Sequence, residues 1–563
     1  MERLSGLDAT FLYLETPTHH MHVAMTMVLD PATMPGGYSF EKLKAFIRSR
    51  LHVVPLFHRR LAEVPFRLNH PVWVEDPDFD LDYHVRRIGA PSPGGRRELA
   101  ELAGQIASTQ LDRTKPLWEM WVVEGLKQDR VGVITKVHHA AIDGASGADF
   151  LVHLFDLEPI ASESFNTPVD LPVEHLPNDL ELLSFAAASL GRRTANMVPL
   201  LGRTVRSVAR VIQGRRSPEK LVGAIPLSAP STPWTASVTG HRSTAFSRVP
   251  LAELKRIKNT FGCTLNDVVL ALVSGTLREY LEEKGTLPPE SLLAICPISV
   301  RNDEVGTSEP SANRVSGMFV SLGSNVDEIP DRIAHIRSST KGAKEEHNAV
   351  GATMLMDWAE YASPNVFNMA SRLYSNMGLA NRHRAIHNVI ISNVPGPNFP
   401  LYFAGAELVA AYPLGPVMEG CGLNITVFSY RDSVDVGFMA CRELIPDVWD
   451  LAEATNRAMR DLSEAADREV ARAERMAPAS TVDGDQPASA AETAPRSIPS
   501  TPAAEQASAK KKAPAKRAGA KKATANKAAT KPTGAKQAGT PGSSTEQRPV
   551  KKAPARKAVA RTR

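Results

Sequence analysis

The sequence predicts an α+β protein with mixed sheets, followed by a disordered basic tail. Strand-like and helix-like segments are mixed without regular βαβ alternation, which favours α+β layers over a doubly wound sheet. The length of 563 residues exceeds what one ordinary core accommodates, so more than one domain is expected. From about residue 476 onward the chain is mainly Ala, Lys, Pro, Thr and Ser, with too little apolar content to offset the entropy cost of folding.

Changes in composition divide the chain into four regions. Residues 1–175 and 239–472 each mix strands and helices and are predicted to be folded domains. Residues 176–238 are predicted to form a helical crossover and linker, because a helical stretch is followed there by a Pro/Ser-rich connection. Residues 473–563 form the predicted tail.

The net charge of +5 combines two opposite parts. From residue 507 to the end, 17 Lys and Arg residues accompany one acid, Glu546. The preceding 506 residues hold the other 49 basic and 60 acidic side chains, so the folded body is predicted to be acidic. Such a tail is expected to bind an anionic lipid surface or, nonspecifically, nucleic acid. A solubilising tail without a specific partner is an equal alternative.

The cysteines and the apolar runs bear on the cellular compartment. Cys263, Cys296, Cys421 and Cys441 form no CxxC pair, which predicts reduced core residues. The N-terminus lacks a basic region followed by an apolar one, and no run of 18 apolar residues occurs, so neither a secretion signal nor a transmembrane helix is expected. A cytoplasmic location follows as the expectation.

The strongest chemical signal is a seven-residue run. It reads His138-His139-Ala140-Ala141-Ile142-Asp143-Gly144. Residues 118–126 and 131–139 predict a hairpin that leads into it. Because side chains alternate along a strand, His139 shares a face with apolar valines and is expected to project into an internal channel. His138 faces the other side and is expected to pack or form hydrogen bonds.

A neutral imidazole in such a channel is suited to general acid–base catalysis. It can take the proton of an attacking hydroxyl and then protonate a leaving group, with a contribution of about 10²–10⁴-fold. Asp143 is expected to orient the loop, and Gly144 to permit a tight turn. The alternatives are a metal site, a structural His139, and the H-x-x-x-x-D motif of glycerolipid acyltransferases, whose companion blocks are missing.

Two further clusters attract attention. His19, His20 and His22 precede a strand-like segment and are expected to be exposed or to line a pocket, since no Cys or carboxylate set accompanies them as metal ligands. Residues 182–217 contain seven arginines and no acids, which predicts a basic amphipathic helix at an anionic membrane. An inter-domain helix that packs on the body is the alternative.

The histidine run resembles the active-site signature of the CoA-dependent acyltransferase superfamily. More narrowly, residues 1–472 resemble the bacterial wax ester synthase/diacylglycerol acyltransferase family. Besides the run, the matching segments in the family's order are Leu4-Ser5-Gly6-Leu7-Asp8, Pro116-Leu117-Trp118-Glu119, Asn266-Asp267-Val268, Pro297-Ile298-Ser299-Val300-Arg301, Ser392-Asn393-Val394-Pro395-Gly396-Pro397 and Gly420-Cys421-Gly422-Leu423-Asn424.

The resemblance implies two chloramphenicol-acetyltransferase-like domains with the active site in a channel between them. It implies His139 as the general base. Asn266 and Asp267 would lie near it, supporting the oxyanion or the architecture, with Asn266 as a helix N-cap as the equal alternative. Further support would come from the segment Pro116-Leu117-Trp118, which would hold the structure or form the pocket.

The resemblance also implies a function and a location. The chain would be an acyl-CoA-dependent O-acyltransferase that makes triacylglycerol from diacylglycerol, the favoured acceptor, or wax ester from a long-chain alcohol. Acyl-CoA is then a substrate, and neither a separate cofactor nor a metal is expected. The protein would work at the inner membrane or at lipid droplets, as a peripheral protein. The alternatives are a polyanion-binding scaffold with an inactive body, and an acyltransferase for another hydroxyl acceptor such as a glycolipid.

Overall fold

The computed structural model describes residues 2–142, 153–159, 176–188, 228–299, 315–350 and 364–476. All of these belong to one structural unit within Met1–Ser480. Several sequence predictions fall outside the described residues: the roles of Asp143 and Gly144, the basic helix over most of 182–217, and the disorder of the tail from residue 477.

The first sheet has six strands and carries the histidine run. From edge to edge its strands are β12 (Tyr402–Phe403), β13 (Ala406–Leu414), β2 (His22–Asp30), β7 (Val131–His138), β6 (Trp118–Glu124) and β5 (Val85–Gly89). The pair β5–β6 is parallel and the other neighbours are antiparallel, so the sheet is mixed.

The second sheet also has six strands. In order they are β10 (Val315–Ser321), β9 (Leu293–Ser299), β11 (Val389–Pro395), β14 (Leu423–Tyr430), β15 (Ser433–Cys441) and β8 (Arg242–Pro250). β11 runs parallel to both of its neighbours, and the other pairs are antiparallel. A small third sheet consists of β1 (Glu2–Arg3), β4 (Val72–Glu75) and β3 (Arg59–Ala62).

Helices cover the sheets. They include α1 (Gly6–Leu14), α2 (Phe40–Arg50), α3 (Leu81–His84), α4 (Arg96–Ala107), α5 (Leu251–Thr260), α6 (Leu265–Glu283), α7 (Ile329–Val350), α8 (Pro364–Asn376) and α9 (Val448–Met476). Residues of α6 and α9 form one apolar core with the second sheet. The mixture of helices with two mixed sheets confirms the predicted fold class.

The strand β7 lies in the interior of the first sheet, and all eight of its residues are buried. Val133 and Val137 join an apolar cluster with Trp118 on one face, and Ile134 joins a different cluster with Leu99 of α4 on the other. The strand β7 is therefore covered on both faces, and it has apolar side chains on each of them. The predicted hairpin is confirmed as the antiparallel pair β6–β7.

A feature that the sequence did not suggest is that two strands from the second half of the chain join the sheet of the first half. β13 pairs antiparallel with β2 from Glu407 opposite Asp30 to Leu414 opposite Ala24. β12 and β13 therefore complete the first sheet, although they lie in the second predicted domain. The domain boundaries derived from composition stay a prediction.

Among the described residues, no single helix is both long and apolar enough to cross a membrane. α5 and α6 pass the same test of length and composition only as a pair, which is bent by 104°. The apolar residues of α6 are largely buried against the second sheet.

Candidate active site

The histidine pair lies where β7 ends. His138 is the last residue of the strand and lies opposite His22 of β2 in the antiparallel ladder. His139 follows, and its backbone N–H donates to the carbonyl of Met21 over 2.7 Å. The neighbouring strand therefore fixes the backbone of both histidines.

The side chain of His138 is fully buried. Its Nδ1 accepts a hydrogen bond of 3.0 Å from the backbone N–H of Ala140. Nδ1 is then unprotonated in the neutral ring, and the proton lies on Nε2. Nε2 is 3.5 Å from Oε2 of Glu15. Burial lowers the pKa of His138, although Glu15 acts in the opposite sense. Both ring nitrogens thus face protein groups.

The side chain of His139 is half-buried and lies against an aromatic ring. The rings of Phe11 and His139 stack with centroids 4.1 Å apart and an interplanar angle of 27°. Stacked contacts of this kind favour one ring orientation. The next residue, Ala140, packs into an apolar cluster with Leu12 and Leu117, which anchors the chain directly after His139.

A buried carboxylate organises the other side of the pair. Glu15 is buried, and its Oε1 lies 3.2 Å from Nε2 of His22. Nε of Arg113 donates to Oε2 over 2.8 Å, and Nη2 donates to the same oxygen. Glu15, His22, His138 and Arg113 are called the Glu15 cluster below.

The Glu15 cluster keeps its carboxylate charged despite burial. Burial alone raises the pKa of Glu15, but hydrogen bonds from His138 and His22 and the charge of Arg113 outweigh it and hold the pKa well below its usual range. His22 shows the opposite balance, because burial lowers its pKa to about 3 in spite of Glu15. The cluster is thus an ion pair between the buried carboxylate of Glu15 and the partly exposed guanidinium of Arg113, with two neutral imidazoles beside it.

Helix α1 positions both contacts. Ser5 is its N-cap, and Oγ of Ser5 accepts from the backbone N–H of Asp8 over 3.1 Å. Phe11 lies in the second turn, and Glu15 follows the helix as its C-cap. Residues four apart project from the same side of a helix, so α1 presents Phe11 to His139 and Glu15 to His138.

Three members of the Glu15 cluster also have the spacing of metal ligands. One ligand atom from each of Glu15, His22 and His138 lies within 4.8 Å of the others. Arg113 already places a fixed positive charge on the same carboxylate. Repulsion between that guanidinium and a cation disfavours a metal here, and the geometry fits an ion pair better.

His19, His20 and His22 were expected to be exposed or to line a pocket, and the first of these alternatives is wrong. All three side chains are buried. The ring nitrogens of His20 lie 3.0 Å from the carbonyl oxygen of Pro17 and 3.4 Å from that of Ala107, at the end of α4. Burial lowers the pKa of His19 to about 4. The side chains of His19 and His20, before β2, and of His22, at its start, therefore point into the protein, where His20 contacts backbone carbonyls and His22 contacts Glu15.

Comparison with known protein families identifies the chain. A family model described as the wax ester synthase/diacylglycerol acyltransferase catalytic domain matches residues 4–269, and the WS/DGAT C-terminal domain matches residues 311–463. A Mycobacterium tuberculosis protein, provisionally named a diacylglycerol O-acyltransferase, is 39% identical over 470 residues, which cover 83% of this chain and 91% of that protein. The chain belongs to the wax ester synthase/diacylglycerol acyltransferase family.

Two further relatives agree with this membership. Another M. tuberculosis protein with the same provisional name is 33% identical over 479 residues, covering 83% of this acyltransferase and 98% of that protein. The solved wax ester synthase/diacylglycerol acyltransferase of Marinobacter aquaeolei VT8 matches with a TM-score of 0.59 and 27% identity, covering 83% of this chain and 100% of that one. The family recognised from the sequence motifs is confirmed.

The segment Pro116-Leu117-Trp118 supports the backbone of the acyltransferase next to the histidine pair. The carbonyl of Leu117 accepts from the backbone N–H of His138 over 3.0 Å. Nε1 of Trp118 donates to the carbonyl of Phe57 over 3.0 Å, and its ring stacks on His84. All three residues are buried. They hold the start of β6 against the end of β7.

The helix-cap alternative for Asn266 is wrong. The N-cap of α6 is Thr264, whose Oγ1 accepts from the backbone N–H of Asp267 over 3.2 Å, while Asp267 accepts from the backbone N–H of Thr264 over 2.9 Å. This reciprocal pair is a capping box, which requires the residues at the cap and three positions later. Asn266 lies within the first turn instead.

The side chains of Asn266 and Asp267 point to different partners. Oδ1 of Asp267 accepts from Oγ1 of Thr340 over 2.9 Å, which ties α6 to α7. Oδ1 of Asn266 accepts from Nδ2 of Asn393 over 3.2 Å. Val394, the residue after Asn393, packs against the same apolar cluster as Ala141 and Ile142, which follow the histidine pair. Asp267 therefore has a structural role. The contact of Asn266 with Asn393 uses its side-chain oxygen, and its amide nitrogen can donate a further hydrogen bond.

The sequence prediction missed Phe11, Glu15 and Arg113. Glu15 and His138 lie 123 positions apart in the chain, so no local pattern links them. One signal was present, because Glu15 is the lone acid between the apolar run of α1 and the three histidines that follow. Buried acids are rare unless paired, and an acid in such a setting indicates a partner.

Proposed function

We propose that this acyltransferase transfers a fatty acyl group from acyl-CoA to the hydroxyl of diacylglycerol, forming triacylglycerol, and accepts long-chain alcohols as second acceptors to form wax esters. His139 is the proposed general base. The observation that carries the proposal is the difference between the surroundings of the two histidines. His138 is buried with both ring nitrogens facing protein groups, whereas His139 is half-buried against Phe11.

The proposed reaction requires one base and no covalent enzyme intermediate. The acceptor hydroxyl attacks the thioester carbonyl carbon while His139 takes the hydroxyl proton. The tetrahedral intermediate then collapses, the C–S bond breaks, and the imidazolium returns the proton to the thiolate. The products are the ester and free CoA, so atoms and charge balance without a metal or redox cofactor.

Asn266 is the proposed donor to the oxyanion of the tetrahedral intermediate. The capping role belongs to Thr264, and the contact of Asn266 with Asn393 uses its oxygen, which leaves its amino group available to donate. A single donor of this kind contributes about 10²–10³-fold to the rate. Asp143 and Gly144, outside the described residues, keep the proposed roles of orienting the loop and permitting its turn.

The acceptor determines the proposed location. Diacylglycerol and long-chain alcohols partition into membranes, so the enzyme would work on the cytoplasmic side of the inner membrane or at lipid droplets, as a peripheral protein. The polycationic tail would add attraction to anionic lipid. Binding of the tail to nucleic acid is the other proposed interaction, and it would weaken steeply with salt because it depends on counterion release.

The test is an assay of the purified full chain with radiolabelled palmitoyl-CoA and separate acceptors: dioleoylglycerol, hexadecanol and none. We expect labelled triacylglycerol and wax ester, and a loss of about 10²–10⁴-fold in kcat for His139→Ala. Equal product from His139→Ala would remove His139 from the role of base. If no product forms with either dioleoylglycerol or hexadecanol, the proposed substrates are contradicted, and a scaffold or a different hydroxyl acceptor is favoured.

A further inference from the structure

Helix α8 presents its apolar face to the outside. Val366, Met369, Leu373 and Met377 are 61%, 67%, 54% and 46% exposed. Their spacing of three and four residues places them on one stripe of the helix and its continuation. A surface helix of a soluble protein normally turns such a stripe towards the core, so this orientation is the reverse of the usual one.

Polar contacts on the opposite side of α8 fix this orientation. Oγ of Ser375 donates to Glu419 over 2.5 Å and lies 3.0 Å from Oγ1 of Thr18. Turning the apolar stripe inward would break these bonds, so its exposure is built into the packing of the helix.

A second element adds apolar side chains next to α8. Phe66 is 80% exposed and Leu68 is 58% exposed. Phe66 has a φ of 57° within the turn Pro65–Arg67, a left-handed conformation that bulky residues rarely adopt. Nδ2 of Asn365, at the start of α8, donates to the carbonyl of Phe66 over 3.1 Å. The turn and the helix therefore form one surface, here called the α8 surface.

Basic side chains border the α8 surface. Arg67, 3.8 Å from Glu63, and Arg372 line a groove beside Met369 and Leu373. Arg382 and Arg384 are exposed in the segment directly after α8. Exposed apolar side chains with arginines around them are the composition of interfacial helices, whose apolar face enters the acyl region while the cations meet lipid phosphates.

The α8 surface lies one helix away from His139. α8 packs against α1, and the rings of Phe367 and Tyr13 have centroids 6.5 Å apart. The same α1 carries Phe11, which stacks on His139. A membrane bound at this surface would lie on the side of the molecule where α1 covers the proposed base.

We propose that the α8 surface docks the enzyme on a phospholipid membrane and so brings it to an acceptor dissolved in the bilayer. The second part rests on the proposed function, since it assumes a lipid alcohol as substrate. The occupant is the membrane rather than a protein because the stripe is apolar, the border is cationic, and the substrate of the nearby site is a lipid.

The test measures vesicle binding of the full chain by flotation. Vesicles of phosphatidylcholine with and without phosphatidylglycerol are used at high salt, which screens attraction through the tail. We expect Met369→Asp/Leu373→Asp to weaken binding by about tenfold or more, because two apolar anchors become charged. The matched control is Val470→Asp/Met476→Asp, which alters two exposed apolar residues of α9 and should bind like the wild type.

A fluorescence measurement keeps the test independent of activity. The chain has six native tryptophans, so the readout is the difference between the emission of Met369→Trp and that of the wild type. This difference should be that of a water-exposed indole without vesicles and should shift to shorter wavelength when they are added. Emission that is already blue-shifted without vesicles would assign the surface to another segment of the chain or to a second copy, and would overturn the proposal. Equal vesicle binding by the wild type and Met369→Asp/Leu373→Asp, or none by the wild type, would overturn it as well.

The failure of docking and the failure of the proposed function give different results. If docking is right, Met369→Asp/Leu373→Asp retains acyl transfer to a short, water-soluble alcohol and loses it with acceptors presented in vesicles. If the wild type acylates no alcohol but binds vesicles through the α8 surface, docking stands and the proposed substrate falls. Equal use of vesicle-borne acceptor by both proteins would contradict the part of the proposal that links docking to substrate.

Discussion

The ring of Phe11 stacks on the ring of His139, with centroids 4.1 Å apart. The helix that carries Phe11 ends at Glu15, which contacts His138. One short helix and its C-cap therefore contact both members of the histidine pair. Mutation of Phe11 tests the orientation of the proposed base, and mutation of Glu15 tests the stability of the structure around it.

Removal of the Phe11 ring tests the orientation of the base. Phe11→Ala deletes a stacked pair that contributes about 0.5–1.5 kcal/mol beyond its buried area and lets the imidazole rotate. We expect kcat to fall by roughly 10-fold to 100-fold because a misplaced base reacts slowly, with little change in KM for acyl-CoA. Steady-state kinetics measure both, and Phe11→Tyr, which keeps a ring, is the control. A kcat of Phe11→Ala equal to that of the wild type would contradict the orienting role.

Neutralisation of Glu15 tests the stability of the support. Glu15→Gln leaves the guanidinium of Arg113 without its carboxylate partner. Because the side chain of Arg113 is 35% exposed, solvent screens the remaining charge, and we expect a smaller cost than for a fully buried pair, about 1–3 kcal/mol. The free energy of unfolding from urea titration should fall by that amount. The control is Glu464→Gln, which breaks an exposed pair with Arg468 and should cost at most about 1 kcal/mol. Similar losses in the two variants would show that the Glu15 cluster does not support the fold.

The buried His387 predicts how stability depends on pH. Burial lowers its pKa to about 4 from the usual 6.5, so between these values the unfolded chain binds a proton that the folded chain does not. The contribution of His387 to the free energy of unfolding is fully present above pH 6.5 and is lost as the pH falls towards 4. From pH 7 to pH 5 the loss is about 2 kcal/mol.

His387→Leu should remove this contribution, so that its free energy of unfolding falls by about 2 kcal/mol less than that of the wild type over the same interval. Urea titrations at pH 7 and pH 5 measure the difference. Parallel pH dependences in the two proteins would show that His387 does not titrate as inferred.

Asn266 and Asp267 are adjacent but should fail in different ways. Asp267→Ala removes one half of the capping box and the bond to Thr340, and we expect a loss of about 1–2 kcal/mol in the free energy of unfolding. Asn266→Ala should leave stability nearly unchanged and lower kcat by about 10²–10³-fold as the proposed oxyanion donor. Normal turnover by a folded Asn266→Ala variant would refute that role.

The parts of the structure that the sequence predicted are those with a local signal. The alternation of Val133, Val137 and the histidine pair predicted the β7 strand and the opposite directions of its two faces, and the structure confirms the strand. The Glu15 cluster had no such signal, because its members come from α1, β2, β7 and the segment after α4. The Glu15 cluster could not be predicted because its members are far apart in the sequence, although each of them is an ordinary ionisable residue.

Helix α8 shows a second limit of sequence patterns. Periodicity can reveal that a helix has an apolar stripe, but it does not say whether the stripe faces protein or solvent. That direction depends on tertiary contacts such as the one between Ser375 and Glu419. At the start of α6 the local sequence did contain the information. Thr264 and Asp267 have the spacing of a capping box, whereas the prediction considered the adjacent Asn266 as the cap.

The pairing of β13 with β2 constrains how the chain is made. β2 leaves the ribosome long before β13, and in the meantime its edge carries unpaired backbone groups that can join other chains. The first sheet therefore closes only after synthesis has passed Leu414, and the order of folding cannot follow the order of translation. Until β13 has been made, this edge of β2 is a part of the first sheet that is open to pairing with another chain.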